Sequence, residues 1–313
     1  MFAADMHCDT ISKLYEEQKR GNPVNLYENN FQVDLNKLKR GQYLLQNFAV
    51  FTDIGTEKDP CRHARDQIAL FQSEMRKNNA RVRQVKNADE IETNRREGRI
   101  SAVLTLEEGE ICGGRLETLE EFYEAGVRMM TFTWNYENSL ANGGGLTDLG
   151  IAFLERMESL GIIPDVSHLP DAAFYDVCRF GKKPFAASHS NSRALCGHKR
   201  NLTDDMIRKI ADRGGVIGVN YYGCFLDNGL PEDGVYFGSV KRIAEHIWHM
   251  IQTGGLFCVG LGSDYDGFSG ICEMEDCSRL SLLGDELKKK GLSERELEYV
   301  FYKNVLRMYQ ECW

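Results

Sequence analysis

The chain has 313 residues, a length that allows one large barrel-type domain or two ordinary domains. Its composition, with 42% apolar and 27% charged residues, excludes a disordered or membrane-spanning protein. A net charge of −9 argues against nucleic acid or an anionic membrane as a partner. No secretory signal precedes the first candidate functional residue, His7, and the ten cysteines form no Cys-x-x-Cys pair. We therefore expect a cytoplasmic protein with mostly reduced cysteines.

Short apolar runs alternate with helical periodicity along the chain. The polar stretch 25–41 predicts no element, and Ser293 with Glu296 predicts a capping box at the start of the last helix. In chain order the predicted elements are strand 2–10, helix 11–20, strand 43–51, helices 61–77 and 88–98, strand 100–106, helix 116–125, strand 127–133, helix 148–160, strand 162–166, helix 171–180, strand 184–188, helix 203–213, strand 215–221, helix 240–252, strand 256–261, and two helices around 280–290 and 294–312.

Eight predicted strands, most of them separated by a helix, favour one fold class. The order predicts an α/β protein in which residues 1–313 form a single (β/α)₈ barrel of the metal-dependent hydrolase type, with extra C-terminal helices. A doubly wound open sheet is the alternative. It is disfavoured because no glycine-rich phosphate-binding sequence follows the first strand.

The first predicted strand carries the tripeptide His7-Cys8-Asp9. Side chains alternate along a strand, so His7 and Asp9 should point to one side and Cys8 to the other. One imidazole and one carboxylate on the same side suit a divalent metal ion. An ordinary strand that ends in a polar turn explains the tripeptide equally well.

Four later strands also end in histidine or a carboxylate, at Glu107, His168, His189 and Asp264. In a (β/α)₈ barrel the C-terminal ends of the strands meet at the face that carries catalytic groups. Histidines and carboxylates together suit a pair of Zn²⁺-like ions, because imidazole favours such metals and a carboxylate can bridge two of them.

Each of these residues also has a purely structural interpretation. His168 could cap the helix that follows Pro170, and His189 could be a hydrogen-bonded histidine between two serines. Periodicity does not decide whether Glu107 or Glu108 faces the interior. The remaining histidines lie in helical or loop context and are interpreted as structural or surface residues: His63, His198, His246 and His249.

Several short stretches resemble motifs of the membrane (renal) dipeptidase family of metallopeptidases, a branch of the amidohydrolase-like barrels. The resemblance extends over nearly the whole chain, with the motifs in family order and at family-like separations. The matching stretches are Asp-Met-His-Cys-Asp at 5–9, Leu-Glu-Glu-Gly at 106–109, Asp-Val-Ser-His at 165–168, Ser-His-Ser at 188–190, Lys-Arg-Asn at 199–201 and Gly-Ser-Asp-Tyr-Asp-Gly at 262–267.

The resemblance implies a catalytic centre with two zinc ions per chain. It selects Glu107 rather than Glu108 as the residue that bridges the ions and takes part in catalysis. The implied ligands are His7 and Asp9 for one ion and His168 and His189 for the other, with Glu107 between them.

The resemblance also implies which residues act on a dipeptide substrate. Asp264 matches the catalytic aspartate, and Arg200 matches the arginine that binds the C-terminal carboxylate of the dipeptide. A planar guanidinium that is always charged suits that task. Asn220 and Tyr221 are assigned with Arg200 to substrate binding.

Trp134, a further residue assigned to substrate binding, departs from the family pattern. It stands where the better-known animal members carry a histidine that hydrogen-bonds the substrate carbonyl. An indole N–H can donate a hydrogen bond but cannot titrate. Polarisation of the carbonyl would therefore fall mainly to the metal ions.

The resulting hypothesis is hydrolysis of small dipeptides by a hydroxide shared between two metal ions, with Asp264 transferring the proton to the leaving amine. The resemblance further implies tolerance of a D-residue at the C-terminal position, and a homodimer. Two alternatives remain: a metal-dependent barrel that acts on another small amide, lactone or ester, and a catalytically inactive barrel that serves as a binding protein.

Overall fold

Eight parallel strands follow one another around a closed barrel in the computed structural model, which describes residues 1–231 and 234–313. Each strand pairs with the next, and the last returns to the first through Leu261 and Asp5. The predicted (β/α)₈ barrel is therefore confirmed. The barrel strands are β1 (Ala3–Asp5), β2 (Tyr43–Phe51), β3 (Ile100–Glu107), β4 (Val127–Thr131), β5 (Ile163–Asp165), β6 (Ala186–Ala187), β7 (Val216–Val219) and β8 (Val259–Leu261).

Helices connect the strands and cover the outside of the barrel. A π-helical turn, Tyr299–Lys303, joins the last two of them. The α-helices are α1 (Thr10–Lys19), α2 (Leu35–Arg40), α3 (Pro60–Lys77), α4 (Ala88–Arg96), α5 (Leu116–Ala125), α6 (Asp148–Leu160), α7 (Asp171–Phe180), α8 (Asp204–Asp212), α9 (Val240–Gly254), α10 (Ser281–Lys289), α11 (Glu294–Glu298) and α12 (Asn304–Cys312).

Polar N-cap residues explain where several helices begin. The hydroxyl of Thr147 accepts the N–H of Gly150 at the start of α6. At the start of α11, Ser293 and Glu296 form the capping box that the sequence predicts. Such caps satisfy N–H groups that have no partner within the helix.

Two apolar clusters hold the barrel together. The larger one lies between the strands and the surrounding helices. The smaller one contains Leu45, Val103 and Met129 from the strands together with Met308 and Tyr309 from α12. The C-terminal helix α12 thus packs against the strands at one end of the barrel. The C-terminal ends of the strands lie at the other end and remain available for a site.

Some elements differ from the sequence prediction. Helix α2 lies within the stretch predicted to have no element; it is short and highly charged, and its N-cap is Asp34, which accepts the N–H of Lys37 at 2.7 Å. The paired segment of β1 ends at Asp5, and Cys8 makes only an isolated bridge with Tyr265. A further short strand, Val82–Gln84, pairs with β3 at the edge of the barrel sheet. Other short strands lie outside this sheet, over Ala141–Asn142, Gly145–Leu146, Phe237–Gly238 and Ile271–Cys272.

All ten cysteines are free thiols, and most of them are buried. Across residues 1–231 and 234–313, every helix is too short or too polar to cross a membrane.

Candidate metal centre

Two buried aspartates fix the direction in which the chain leaves the barrel strands. Asp5, the last residue of β1, accepts the N–H of His7 at 3.0 Å and that of Ser263, after β8, at 3.1 Å. Asp165, the last residue of β5, accepts the N–H of Ser188, after β6, at 2.9 Å. Each carboxylate therefore joins two neighbouring strand ends at the C-terminal face of the barrel.

The backbone at this face is strained. Four non-glycine residues that follow β3, β5 or β8 have positive φ angles: Glu108 (93°), His168 (69°), Asp264 (62°) and Asp266 (70°). In the described part of the chain, Gln42 is the single other non-glycine residue of this kind. Such conformations cost about 1–3 kcal/mol each and concentrate at functional sites, where surrounding contacts hold them in place.

His7 lies at the centre of a buried group of carboxylates. Its Nε2 atom is 3.2 Å from Oδ2 of Asp9, 3.3 Å from Oε2 of Glu107 and 3.8 Å from Oδ1 of Asp264. His7 and Asp9 thus meet on one side, as predicted. Cys8 points elsewhere, because its thiol donates to the carbonyl oxygen of Asn47.

The second oxygen of Glu107 faces two other histidines. Its Oε1 atom is 3.0 Å from Nε2 of His168 and 3.6 Å from Nε2 of His189. The two Nε2 atoms are themselves only 3.0 Å apart. One carboxylate therefore lies between His7 on one side and the pair His168 and His189 on the other.

A hydrogen-bond chain fixes the tautomer of His189. The hydroxyl of Ser188 donates its single proton to Oδ2 of Asp165, so this hydroxyl must accept from Nδ1–H of His189 at 2.7 Å. Nε2 of His189 then carries no proton. Its lone pair points towards Glu107 and His168, as a metal ligand's lone pair would.

The crowded carboxylates have strongly altered pKa values. Burial and the nearby Glu107 carboxylate raise the pKa of Asp9 to about 6. Burial also raises the pKa of Asp264 to about 7, against the attraction of His7. Burial would raise the pKa of Glu107 too, but the charge of His7 and hydrogen bonds from His168 hold it well below its ordinary value. A bound cation would offset the mutual repulsion of these groups.

The pKa values of the three histidines are shifted in different directions. Burial lowers the pKa of His7, but the Glu107 and Asp9 carboxylates outweigh burial and raise it well above its ordinary value. Burial lowers the pKa of His168 to about 4 and that of His189 well below its ordinary value. His168 and His189 are therefore neutral near pH 7, which is the form that binds a metal ion.

The donor set fits a metal ion. Ligand atoms of His7, Glu107 and His189 lie within 4.8 Å of one another, and so do those of His7, Asp9 and Asp264. The buried Oδ1 atom of Asp9 has no hydrogen-bond partner among the residues that the structure describes. His7 belongs to both groups, so these distances do not separate the donors into the two pairs that the resemblance implied.

A cavity of about 730 Å³ opens at the cluster, and its lining includes Asp9, Glu107, His168 and Asp264. It also includes His63, interpreted from the sequence as structural or surface, which bonds Thr52 through Nδ1. The cavity is large enough for a small peptide.

Two of the predicted substrate-binding residues lie beside the candidate ligands. Asn220 donates from Nδ2 to Oδ2 of Asp264 at 2.8 Å. Arg200 donates to Oγ of Ser190 at 2.8 Å and to the carbonyl oxygen of His189 at 3.1 Å. Neither residue is among those that line the cavity, and the buried Nε of Arg200 has no hydrogen-bond partner within residues 1–231 and 234–313.

The structure does not bring Tyr221 to the cavity. Its ring is fully buried and packs edge-to-face on Tyr265, with 5.5 Å between the ring centroids. The next residue, Tyr222, lines the cavity instead. Tyr221 and Tyr222 are consecutive residues, so their side chains point in different directions. The apolar run 215–221 did not show where the strand pairing ends.

Trp134 lines the cavity and is half-buried. Its ring centroid is 4.8 Å from that of Phe51 and 6.3 Å from that of His168. Its backbone N–H donates to Oε2 of Glu108 at 2.8 Å. Glu108 thus faces the Trp134 segment, whereas Glu107 faces the histidines.

The structural alternatives for the two histidines can now be compared with the geometry. Pro170, not His168, is the N-cap of α7, so the capping interpretation of His168 is not supported. His189 is hydrogen-bonded to Ser188, as the structural interpretation expected, but its other nitrogen faces Glu107.

Sequence reasoning assigned no role to several supporting residues. Asp5, Asp165, Ser188 and Glu108 all hold candidate ligands or cavity walls in place. Their position in the sequence could have identified them as supporting residues, because each lies within three residues of a candidate ligand.

Comparison with known proteins identifies the family. Residues 1–312 match the family model described as membrane dipeptidase (peptidase family M19). An uncharacterized protein in the pqqA 5′ region of Klebsiella pneumoniae is 32% identical over 269 residues, which cover 82% of this chain and 98% of that protein. An uncharacterized dipeptidase of Schizosaccharomyces pombe is 30% identical over 302 residues, which cover 89% of this chain and 72% of the yeast protein.

Solved structures show the same fold at lower identity. The dipeptidase AC, a metallopeptidase, superposes with a TM-score of 0.90 at 24% identity and covers 100% of this chain and 99% of its own. A Rhodobacter sphaeroides metallopeptidase, solved with a phosphinate mimic of L-Ala-D-Ala, superposes with a TM-score of 0.88 at 23% identity, with the same coverage. The match over nearly the whole chain shows that this protein belongs to the membrane dipeptidase family of metallopeptidases, and metal-dependent hydrolysis of dipeptides follows from that membership.

Proposed function

We propose that this chain is a binuclear zinc dipeptidase that cleaves the single peptide bond of small dipeptides. The observation that carries the proposal is the position of Glu107. One of its carboxylate oxygens is 3.3 Å from Nε2 of His7, and the other is 3.0 Å from Nε2 of His168. A carboxylate whose two oxygens face different histidines suits a bridge between two ions.

His7 and Asp9 would hold one ion, and His168 and His189 the other. Zinc is the proposed metal because imidazole nitrogens and carboxylate oxygens are its usual ligands outside cysteine-rich sites. When bound, the two ions would supply Lewis-acid polarisation of the scissile carbonyl and a water molecule of lowered pKa.

Asp264 is the proposed general base and acid. It lines the cavity next to His7, and Asn220 holds its Oδ2 atom by a hydrogen bond of 2.8 Å. Its Oδ1 atom would take the proton from the attacking water and return it to the amine that leaves. Asn220 would keep the carboxylate in the required orientation.

Arg200 would bind the C-terminal carboxylate of the dipeptide and so restrict the enzyme to short substrates. Burial lowers the pKa of Arg200 only to about 10, so the guanidinium stays charged at neutral pH. A rotation of its side chain would be required, because it now bonds Ser190 and His189. The mimic of L-Ala-D-Ala bound by the Rhodobacter sphaeroides protein supports acceptance of a D-residue at this position.

The ligand assignment is tested with alanine variants of His168 and His189. We expect each variant to lose bound metal and hydrolysis of Ala-Ala together. His249→Ala is the matched control, because His249 pairs with Asp204 away from the cavity and should leave both quantities unchanged. Retention of two metal ions and full turnover in His168→Ala or His189→Ala would show that the assignment is wrong.

The substrate class is tested with Arg200→Met. Hydrolysis of a dipeptide should fall far more than hydrolysis of a small ester without a carboxylate, because only the dipeptide uses the guanidinium. Equal losses would favour another amide, lactone or ester as the substrate. The expected homodimer and cytoplasmic location stay predictions; sedimentation velocity of the purified protein would check the first.

A further inference from the structure

We propose that Trp134 determines specificity by forming, with Phe51, an apolar wall for the N-terminal residue of the dipeptide. The substrates favoured would carry a large apolar or aromatic side chain at that first position. This inference rests on the proposed function, because it assumes a dipeptide with its peptide bond at the candidate metal centre.

The cavity has two aromatic walls. Phe51 and Trp134 form the first, with ring centroids 4.8 Å apart and planes inclined by 61°. Tyr222 and Phe268 form the second; they stack with centroids 5.2 Å apart and planes 16° apart, and Phe225 packs edge-to-face on Tyr222. All five side chains line the cavity.

The strand order places these walls on opposite sides of the barrel mouth. Phe51 ends β2 and Trp134 follows β4, so the first wall flanks the end of β3, where Glu107 lies. Tyr222 follows β7. In a closed barrel of eight strands, three strands lie between β3 and β7 in either direction, which puts them on opposite sides.

The position of Arg200 decides which residue of the substrate faces which wall. Its guanidinium lies 5.8 Å from the ring centroid of Phe225, on the side of the second wall. A dipeptide with its carboxylate at Arg200 and its peptide bond at Glu107 places its C-terminal residue near Tyr222. Its N-terminal residue then extends towards Trp134 and Phe51.

A hydrogen bond and ring contacts support the first wall in the absence of substrate. The backbone N–H of Trp134 donates to Glu108, and the indole also packs edge-to-face on Tyr136 at 5.7 Å. Tyr136 in turn lies over Gly55, where a Cβ atom would be 3.0 Å from the phenol ring. A preformed apolar surface binds a matching side chain without an ordering cost.

The experiment measures kcat/KM of the zinc-loaded protein for Phe-Ala, Ala-Ala and Ala-Phe. We expect the unmodified protein to prefer Phe-Ala over Ala-Ala by about tenfold or more, the range typical of added apolar contact in a pocket. Trp134→Ala should remove most of this preference and change the value for Ala-Ala much less. Trp134→Phe keeps an aromatic ring and should keep the preference; it also serves as the second variant if Trp134→Ala folds poorly.

Phe268→Ala is the matched control from the opposite wall. It should change the value for Ala-Phe more than that for Phe-Ala. A second readout is independent of turnover: in the Asp264→Asn background, calorimetry should show about tenfold weaker binding of Phe-Ala when Trp134 is replaced by alanine, and little change for Ala-Ala.

The outcomes separate the inference from the proposed function. If the zinc-loaded protein hydrolyses dipeptides without a preference for Phe-Ala, or if Trp134→Ala leaves the preference intact, the inference is overturned and the dipeptidase proposal stands. If the loaded protein hydrolyses none of the three dipeptides, the proposed function itself fails.

Discussion

The carboxylate of Glu108 accepts the backbone N–H of Trp134 over 2.8 Å. Glu108 directly follows the proposed bridging residue Glu107 and has a φ angle of 93°, which a side chain rarely adopts. The candidate metal centre and the aromatic wall are therefore joined through two consecutive residues at the end of β3. Strain at this position is consistent with a backbone that must direct the two carboxylates to different partners.

Replacement of Glu108 by glutamine should loosen this connection. The backbone N–H groups of Trp134 and Glu110 and the side-chain amide of Asn138 all donate to the Glu108 carboxylate, so the amide of glutamine would place a donor against a donor. We expect a loss of about 1–3 kcal/mol in the free energy of unfolding, measured by urea denaturation of the metal-loaded protein. Glu117→Gln, at an exposed position of α5, is the control and should change little. Equal stability of the two variants would contradict the interpretation of Glu108.

Ser188→Ala tests the tautomer of His189. The substitution removes the hydroxyl that accepts from Nδ1–H of His189 and donates to Asp165. Loss of such a supporting bond typically weakens metal binding by about 10–100-fold, which competition with a chelator measures. Ser159→Ala, on the exposed surface of α6, should leave the affinity unchanged. Unchanged affinity in Ser188→Ala would mean that this hydroxyl does not orient the imidazole.

Gly267→Ala tests how closely the backbone approaches the carboxylates. A Cβ atom at Gly267 would overlap Oδ2 of Asp9 and lie 2.6 Å from Oδ1 of Asp264. Both carboxylates would have to move, so we expect a large loss of bound metal and of dipeptide hydrolysis. Metal content, measured by mass spectrometry of the purified protein, checks the first effect. Gly284→Ala, in α10, is the control: neither Gly284 nor Gly267 has a positive φ angle, and a Cβ atom at Gly284 would make only ordinary contacts, at 3.7 Å or more.

Metal binding should depend on pH. In the metal-free protein the pKa of His7 is raised well above its ordinary value and that of Asp9 to about 6, so protons compete with the metal at both residues. Below pH 6 both residues are protonated, so the affinity for the metal ion should fall steeply. Near pH 7, metal binding should still release a proton from His7. Calorimetry in buffers of different ionisation enthalpy measures this release. Binding that releases no proton and has the same affinity at pH 5.5 and pH 7.5 would contradict the assignment.

Helix positions were largely predictable from the sequence. The apolar periodicity of residues 116–125, 148–160 and 171–180 gave the observed bounds, because glycine or proline lies close to these helix ends. The bounds of β2 were predicted, but several other paired strands were shorter than the apolar runs, as in β6, where the run 184–188 contains only Ala186–Ala187. The residues that follow a barrel strand remain buried while they turn into the site, so burial alone does not mark the last paired residue.

Candidate ligands could be found because histidines and carboxylates recur after apolar runs. The choice between Glu107 and Glu108 could not be made from periodicity, since it depends on the positive φ angle at Glu108. Tyr221 was expected at the substrate site for a related reason. The paired strand ends at Val219, and the residue that lines the cavity is Tyr222. The contact between Asp165 and Ser188 joins segments that are distant in the sequence. Such contacts leave no local sequence pattern from which they could be predicted.

The most direct test of the account is a crystal of the zinc-loaded protein measured at the zinc absorption edge. We predict two anomalous peaks, each bound by one oxygen of Glu107, with His7 and Asp9 at one peak and His168 and His189 at the other, at Zn–N distances of about 2.0–2.1 Å. A single peak away from Glu107, or no zinc peak among these five residues, would contradict it.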